Sequence, residues 1–426
     1  MTKIIIVSLL VVIILEILLF KLVNFLRNYF NNSQNWIKNR FVTNIITENK
    51  DYFPKIEREE LNRFKIYMED KDLGTTYKKN TSVVEKYYKN KIIKTRYTID
   101  KKGSRLNKLY KNKNLISCYG DSLSFCRYTN DNQTWEYYLS KLTKSNVKNY
   151  GVGNYGLDQS YLKFLNNTYE NSKTIIFAVG PETIRRDLSL WKHYYEFGNI
   201  FYFKPAFLLN KKKQLVKHPL KVKNISLKTN FFKIHKKIKN YDFFYKEKFL
   251  KYLWSRPYLF STIINFPRKF MIILFFSLKY IELEKKNKLT KIINEKIFSE
   301  MNLLGGLRYD FLDRLNYFKD NKYYNNSIYL LKKIKKEIKK RNKKILLVII
   351  PAHYDYVYLK KTKKNYYKNF ISECEKYVDC LDLGQYLNYD EKKIFSDKGF
   401  GGHYNAYGNK IISKIIYNHL KKNKYI

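Results

Sequence analysis

The residue in this sequence most readily given a chemical task is Ser122, within LISCYGDSLSFCR over 115–127. An apolar run over 115–119 meets Gly120, Asp121 and Ser122, and a polar segment then turns helical near Asn132. That pattern reads as strand, loop and helix. In open α/β sheets chemistry gathers where strands end and helices begin. A serine at that edge has the backbone N–H groups of the next helical turn close by. Such a placement suits a nucleophile that needs a site for a developing oxyanion. Gly-Asp-Ser is also an ordinary turn composition, so Ser122 needs partners at the same rim before it means catalysis.

Three segments offer such partners. NYGVGNYGLDQ, over 149–159, holds three glycines that permit tight turns and close approach of backbone to a ligand. GPETIRR, over 180–186, follows a strongly apolar run. SDKGFGGHYNAYGN, over 396–409, contains His403 just before a final helical stretch. His193 and His353 are expected to pack or hydrogen-bond locally, with His353 near enough to a strand end to line a pocket. Glu182 and Arg185 fit a structural ion pair as well as substrate binding.

The elements that must position these segments alternate in type. Strands are expected at 115–119, 146–150, 173–179, 344–350 and 378–383. Helices are expected at 133–144, with Asp131 or Asn132 as N-cap, and at 157–167, 327–340, 369–377 and 406–420. Ile328, Leu331, Ile334 and Ile338 recur at helical spacing. Strands alternating with helices imply an α/β fold: a parallel five-stranded sheet sandwiched by helices and joined by right-handed crossovers.

Around that sheet the chain carries additions. Residues 4–23 are almost continuously apolar, broken by Glu16 and Lys21, and match one bilayer crossing. No small-x-small cleavage pattern follows Leu19, so a retained single-pass membrane anchor is expected rather than a signal peptide. Glu16 is costly at mid-membrane unless protonated or paired. Lys3 on one side and Lys21, Arg27, Lys38 and Arg40 on the other leave the side of the main domain open. Between the third and fourth strands, about 180 to 325, the chain is too long for a loop and must form an insertion. There 191–205 is dense in aromatics. The apolar stretch 257–281 is interrupted by Pro267, Arg268 and Lys269, so a buried helical hairpin is expected, with an interfacial membrane-dipping element as the alternative. The chain thus divides into an anchor (1–25), a stem and preamble without clear period (26–110), the first part of the α/β domain (111–190), a mostly helical insertion or cap (191–325) and the second part of the domain (326–426).

A formal charge of +47 raises nucleic acid as a partner. Lys, Asn, Ile and Tyr are enriched together along the whole length, as AT-rich codons would produce. No basic stripe stands apart and no nucleic-acid-binding motif occurs, so no specific nucleic acid partner is expected. Anionic lipid or acidic glycan suits this charge better, and a merely solvated basic surface suits it best. The four cysteines make no zinc-like pattern. Cys118 is expected in the core, and Cys374 and Cys380 are spaced so that a disulfide is open to them in an oxidising compartment.

In order along the chain come Gly-Asp-Ser, a glycine-rich N-x-G segment, a motif after the third strand and a late Asp…His before the last helix. That order resembles the SGNH/GDSL hydrolase family over about 115–190 and 340–420. The resemblance implies a flavodoxin-like sheet and ester chemistry on acyl groups, often acetyl groups on carbohydrates, with no cofactor and no metal. It implies Ser122 as nucleophile, His403 as the base that takes its proton and Asp397 as the carboxylate that holds the ring. The family usually has that carboxylate three residues before the histidine. Here the spacing is six and Phe400 stands at the usual place, so Asp382, or a dyad without a carboxylate, stays open. Gly153 and Asn154 in the second motif, with Gly180 and Glu182 in the third, are the oxyanion and substrate-binding candidates. Asn154 stands where the family has an oxyanion glycine, which still leaves a backbone N–H. Pro181 and Glu182 stand where it has a side-chain Asn donor, a loss of roughly 3 kcal/mol of transition-state stabilisation unless the Asn154 amide substitutes. The function expected is a membrane-anchored serine esterase or O-acyltransferase acting on acyl esters of a cell-envelope glycan or lipid-linked sugar. The alternative is a catalytically impaired glycan-binding or assembly protein on the same fold.

Overall fold

The computed structural model describes residues 2–32, 58–88, 92–110, 114–167, 171–196, 199–219, 228–250, 256–266, 268–285, 289, 314–396 and 402–426. The main elements run in chain order from α1 (Thr2–Asn32) through the strands β1 (Thr81–Tyr88) and β2 (Ile92–Ile99) to β3 (Asn114–Gly120). Next come α2 (Ser122–Phe125), α3 (Trp135–Thr143), β4 (Asn146–Asn149), α4 (Leu157–Asn166), β5 (Thr174–Val179) and α5 (Thr183–Asp187). Then follow α6 (Tyr258–Ile264), α7 (Arg268–Lys285), α8 (Asn321–Lys340), β6 (Lys344–Ile349), α9 (His353–Thr362), α10 (Lys368–Glu375), β7 (Asp379–Asp382) and α11 (Ala406–Lys422). The chain divides into two compact units. One comprises Arg58–Leu190, Phe203–Phe231 and Arg314–Ile426; the other comprises Met1–Glu57, Trp191–Tyr202 and Phe232–Asp313.

The first unit is an α/β sandwich. Its five strands lie in the order β7-β6-β5-β3-β4, all parallel, which is the flavodoxin-like arrangement. The apolar runs of β3, β5 and β6 are buried on both faces, as a parallel sheet under helices requires. Period-two alternation sorts their side chains. Tyr119, Ile175, Phe177, Val179, Leu347 and Ile349 join the core under α4, α8 and α10. Ile116, Cys118, Ile176, Ala178, Leu346 and Val348 join the core under α3 and α11. Gly120 pairs with Ala178, Val179 with Ile349, and Ile349 with Asp382, so these residues mark one carboxyl rim. At Gly120 a Cβ would fall 1.8 Å from the Ala178 carbonyl oxygen, so only glycine lets β3 and β5 close there.

The preamble has more order than its sequence suggests. β1 and β2 pair antiparallel. The Arg105 N–H then bonds the Asn149 carbonyl at 2.7 Å and covers the edge of β4. The buried Arg105 guanidinium donates to Asp131 at 2.8 Å and to the carbonyls of Phe125, Cys126 and Thr129. It thereby braces the loop that follows Ser122.

One local expectation is corrected and one open point is filled in. The helix after Ser122 is capped neither by Asp131 nor by Asn132. A 3₁₀ turn spans Asp131–Gln133, and Thr134 caps α3 by accepting the Tyr137 N–H at 3.0 Å. Cys374 and Cys380 are free thiols, so the disulfide open to them on spacing is absent.

In the second unit, α1 is long and apolar enough to cross a membrane. Val23 and Leu26 on α1 pack with Tyr258, Ile273 and Phe276 of α6 and α7. Those two helices meet at 117°. The expected buried hairpin is only half buried, because Phe260, Ile263, Ile264 and Phe266 are 61–67% exposed. His193 packs locally as expected, fully buried with its ring 4.7 Å from Trp191.

Glu136, on the buried face of α3, accepts the Cys126 thiol at 3.5 Å. Burial pushes its carboxyl up to about 8, so it is neutral in the fold at neutral pH. In the unfolded chain a glutamate ionises near 4.3. Its contribution to stability is therefore full below about pH 4 and is lost as pH rises to about 8, because the unfolded state releases the proton first. Glu136→Gln should flatten the fall of Tm over that window, and should be more stable than the parent at its upper end. Thermal scans of both proteins across the window check this, and identical pH profiles would contradict it.

Candidate active site

Asp121 shapes the turn that carries Ser122. It is the N-cap of α2, with Oδ1 accepting the Leu123 N–H at 2.8 Å. Oδ2 of the same buried carboxylate accepts the Gly180 N–H at 3.1 Å and Arg186 Nη1 at 2.8 Å. The end of β3 is thereby tied to the end of β5. Ser122 begins α2, where backbone N–H groups lack intrahelical acceptors. The helix lasts one turn because Cys126 takes a left-handed conformation at φ 56°. Tyr128 follows at φ 68°, an unusual conformation for a bulky aromatic.

His403 reaches the same place from the other end of the chain. Phe395 and Tyr404 form an antiparallel bridge, and the Ser396 N–H bonds the His403 carbonyl at 2.7 Å. The Tyr404 hydroxyl donates to the Pro351 carbonyl at 2.6 Å. Asn405 caps α11 by accepting the Gly408 N–H at 2.9 Å. Between these restraints His403 Nε2 lies 3.0 Å from Ser122 Oγ. The Tyr128 ring meets the imidazole edge-on at 5.3 Å. Behind it the Arg127 guanidinium lies 4.6 Å over the Tyr128 ring and donates to Glu85 on β1 at 3.1 Å. The preamble thus supports the imidazole through two aromatic and ionic contacts.

Gly153 and Asn154 also arrive beside Ser122. The Tyr150 N–H bonds the Cys118 carbonyl at 2.8 Å and the Val152 N–H bonds the Gly120 carbonyl at 3.0 Å, so the chain leaving β4 continues along β3. A Cβ on Gly153 would stand 3.9 Å from Ser122 Cβ. Asn154 has φ 69°, which asparagine tolerates better than most residues.

Gly180 and Glu182 serve other tasks. The Gly180 N–H is used on Asp121. Glu182 Oε1 accepts Arg185 Nε at 2.9 Å and Oε2 pairs with Arg314 Nη2 at 2.6 Å. Arg314 Nη1 continues to Asp355 at 2.8 Å, and Asp355 accepts the Tyr366 hydroxyl at 2.6 Å and the Ala352 N–H at 2.9 Å. Burial opposes the charge on Arg314, but Glu182 and Asp355 outweigh it and hold the guanidinium above its ordinary pKa. Glu182 thus sits in a buried ion pair. A carboxylate is an acceptor only, so it cannot stand in for the family's side-chain donor.

The carboxylate behind the histidine is not in view. Asp397 lies outside the described residues. Asp382 accepts from the Gly384 N–H at 2.9 Å, Asn365 at 2.8 Å and the Tyr367 hydroxyl at 3.1 Å, and none of these is His403. His353 stacks edge-on to Phe395 at 5.1 Å, and its N–H donates to the Gly402 carbonyl at 3.3 Å. It braces the segment that carries His403.

Reading the sequence for catalytic motifs missed Arg105, Arg127, Arg186 and Arg314. One signal was present. Only 14 of the 84 basic residues are arginine. In a chain whose default base is lysine, an arginine marks a place where a planar five-donor fork is needed. Five of those arginines — 105, 127, 185, 186 and 314 — converge on this rim.

No protein-family model and no curated protein matches the sequence. Among solved structures the chain is similar to one described as that of "a putative lipolytic protein of G-D-S-L family" from Desulfitobacterium hafniense DCB-2. The identity is 12%, the match covers 72% of this chain and 99% of that one, and the TM-score is 0.32.

Asp121→Asn keeps the shape of the turn and removes the charge that Arg186 faces. Breaking one partner of a buried pair typically costs about 3 kcal/mol or more. The urea midpoint should fall accordingly, and Arg186→Met added to Asp121→Asn should cost less than the sum of the single changes. Additive losses would show that the two side chains do not act as a pair.

Proposed function

We propose that this chain is a membrane-anchored serine esterase or O-acyltransferase of the SGNH/GDSL type, acting on acyl esters, acetyl among them, of a cell-envelope glycan or lipid-linked sugar. The observation that carries the reading is the 3.0 Å separation of Ser122 Oγ and His403 Nε2. That distance is a hydrogen bond, the geometry in which an imidazole activates a serine. In this mechanism the Ser122 oxygen bonds the acyl carbon as its proton passes to His403 Nε2. The oxyanion takes hydrogen bonds from the Ser122 N–H at the start of α2 and from Asn154. Collapse breaks the ester bond, and the departing sugar oxygen takes the proton back from His403. Water or an acceptor hydroxyl then attacks the acyl-serine by the same route. Water gives hydrolysis and a sugar hydroxyl gives transfer.

The packing of α1 supports retention of the anchor. Val23 and Leu26 are buried in its own unit, so cleavage would open that core. A second reading, a catalytically impaired glycan-binding or assembly protein, is favoured by one feature. Glu182, held by Arg185 and Arg314, occupies the place of the missing side-chain donor.

Hydrolysis of p-nitrophenyl acetate by the full chain in detergent separates the two. Ser122→Ala and His403→Ala should each lower turnover by at least about 10³-fold with the fold intact by circular dichroism. A wild type no faster than Ser122→Ala would favour the binding protein. Asn154→Gly keeps the backbone donor and removes the amide. It should lower kcat about 10²-fold with little change in KM if that amide replaces the lost donor. Unchanged kcat would leave the backbone N–H as the donor.

A further inference from the structure

We infer that the α6–α7 hairpin is immersed in the bilayer beside α1, with its exposed apolar face among lipid acyl chains and Glu16 as the carboxylate that docks it. The inference rests on the reading of α1 as a membrane anchor.

Length comes first. The apolar side chains of α1 that precede Glu16 are 45–72% exposed. They span residues 4–15, which is about 18 Å of helix against a hydrocarbon core of about 30 Å. Beyond Glu16, Ile17, Leu18, Leu22 and Phe25 stay exposed on one side of α1 while Val23 and Leu26 are buried. A full crossing needs residues 4–23, and the end of that span is where Val23 packs against Tyr258, Ile273 and Phe276. Glu16 then sits about 10 Å inside the boundary at Val23. So do the residues it touches.

Glu16 supplies the second argument. An isolated carboxylate at that depth is costly, and so are the unpaired N–H groups of a helix start. Glu16 cancels both. Its Oε1 accepts the Tyr258 N–H at 2.7 Å and its Oε2 accepts the Leu259 N–H at 2.6 Å. The N-cap of α6 is Pro257, which has no side-chain bond to offer, so the cap comes from α1.

The path of α7 supplies the third. Phe25 meets Tyr280 edge-on at 4.8 Å, and the Tyr29 hydroxyl donates to Glu284 at 2.6 Å. Both contacts share one register, so α7 runs alongside α1 in the same direction. That register puts Phe270 and Met271 at the depth of Glu16, and the turn between the helices at the deep end. Phe260, Ile263, Ile264, Phe266 and Phe270 there are 48–67% exposed. Residues 260, 263 and 264 share one helical face. Three polar side chains at the turn, those of Thr262, Asn265 and Lys269, find partners within the hairpin, as hydrocarbon demands. Thr262 Oγ1 donates to the Tyr258 carbonyl at 2.8 Å, Asn265 Nδ2 to the Ser261 carbonyl at 2.9 Å, and Lys269 Nζ to Ser261 Oγ. Farther out, Arg256 lies over the Phe20 ring at 4.3 Å.

Nitroxide quenching tests the inference. The full chain carries a single environment-sensitive fluorophore on cysteine, in a Cys380→Ser background, since the other three native thiols are buried. The label sits at Ile263→Cys, at Leu10→Cys on α1, or at Lys421→Cys on the exposed surface of α11. Each protein is reconstituted into phosphatidylcholine–phosphatidylglycerol vesicles, with or without phosphatidylcholine bearing a nitroxide on its acyl chain. The expected result is quenching at 263 by about the factor seen at 10, and none at 421. Quenching at 10 alone overturns the immersed hairpin while the anchor stands. If cysteine-to-cysteine crosslinks at 263 then join two chains, the face belongs to a second copy instead. Quenching at neither 10 nor 263 overturns the anchor, and this inference with it.

Discussion

The buried carboxylate of Asp121 is the constraint from which the geometry of the rim follows. Parallel strands deliver loops to one edge of a sheet, but loops by themselves do not hold a hydroxyl to a fraction of an ångström. Asp121 gathers donors from three places: the first turn of α2, the end of β5 and the side chain of Arg186 on α5. Behind it Glu182 and Asp355 share Arg314, and Arg185 closes on Glu182. Three carboxylates thus face three guanidiniums, and the network is neutral as a set. Such networks add little net stability, because desolvation consumes most of the attraction. Their consequence here is register: each oxygen has one geometry in which it is satisfied.

The second support comes from outside the sheet. Arg105 closes the carbonyls of the turn after α2, and the ribbon β1–β2 holds Arg127 and Tyr128 against the imidazole through Glu85. The left-handed backbone at Cys126 and Tyr128 needs such bracing, since each costs energy that surrounding contacts must offset. Ser122 and His403 therefore depend for their placement on a segment that carries no catalytic motif.

What was legible in the sequence divides along physical lines. Strands buried on both faces leave continuous apolar runs, so β3, β5 and β6 can be read directly, while the short, partly polar β4 and β7 are read from their place in the alternation, and α9 was not read. Ser122 and His403 can be read because glycine-rich turns flank them. The N-cap at Thr134 was obscured by Asp131 and Asn132, which are better capping residues but sit in a 3₁₀ turn. Among the described residues, the preamble's β1–β2 ribbon contributes only Val83, Tyr97 and Ile99 to a small buried cluster with Phe125, and its other supports are long single side chains such as Arg105, so its apolar signal is weak. The Glu182–Arg185 pair was open to reading from the sequence, but Arg314, far away in sequence, was not. The hairpin looked buried because Pro267, Arg268 and Lys269 interrupt it, yet Lys269 turns inward to Ser261 and leaves the outer face apolar. Asp397 stays an expectation from the resemblance alone.

The central claim is that Ser122 is a nucleophile activated by His403. The most direct measurement is covalent capture by a fluorophosphonate, followed by peptide mass spectrometry of the full chain. The account predicts one adduct, on Ser122, formed at a rate that collapses in His403→Ala. Absence of an adduct on folded protein, or labelling at Ser122 that is equally fast without His403, would contradict it.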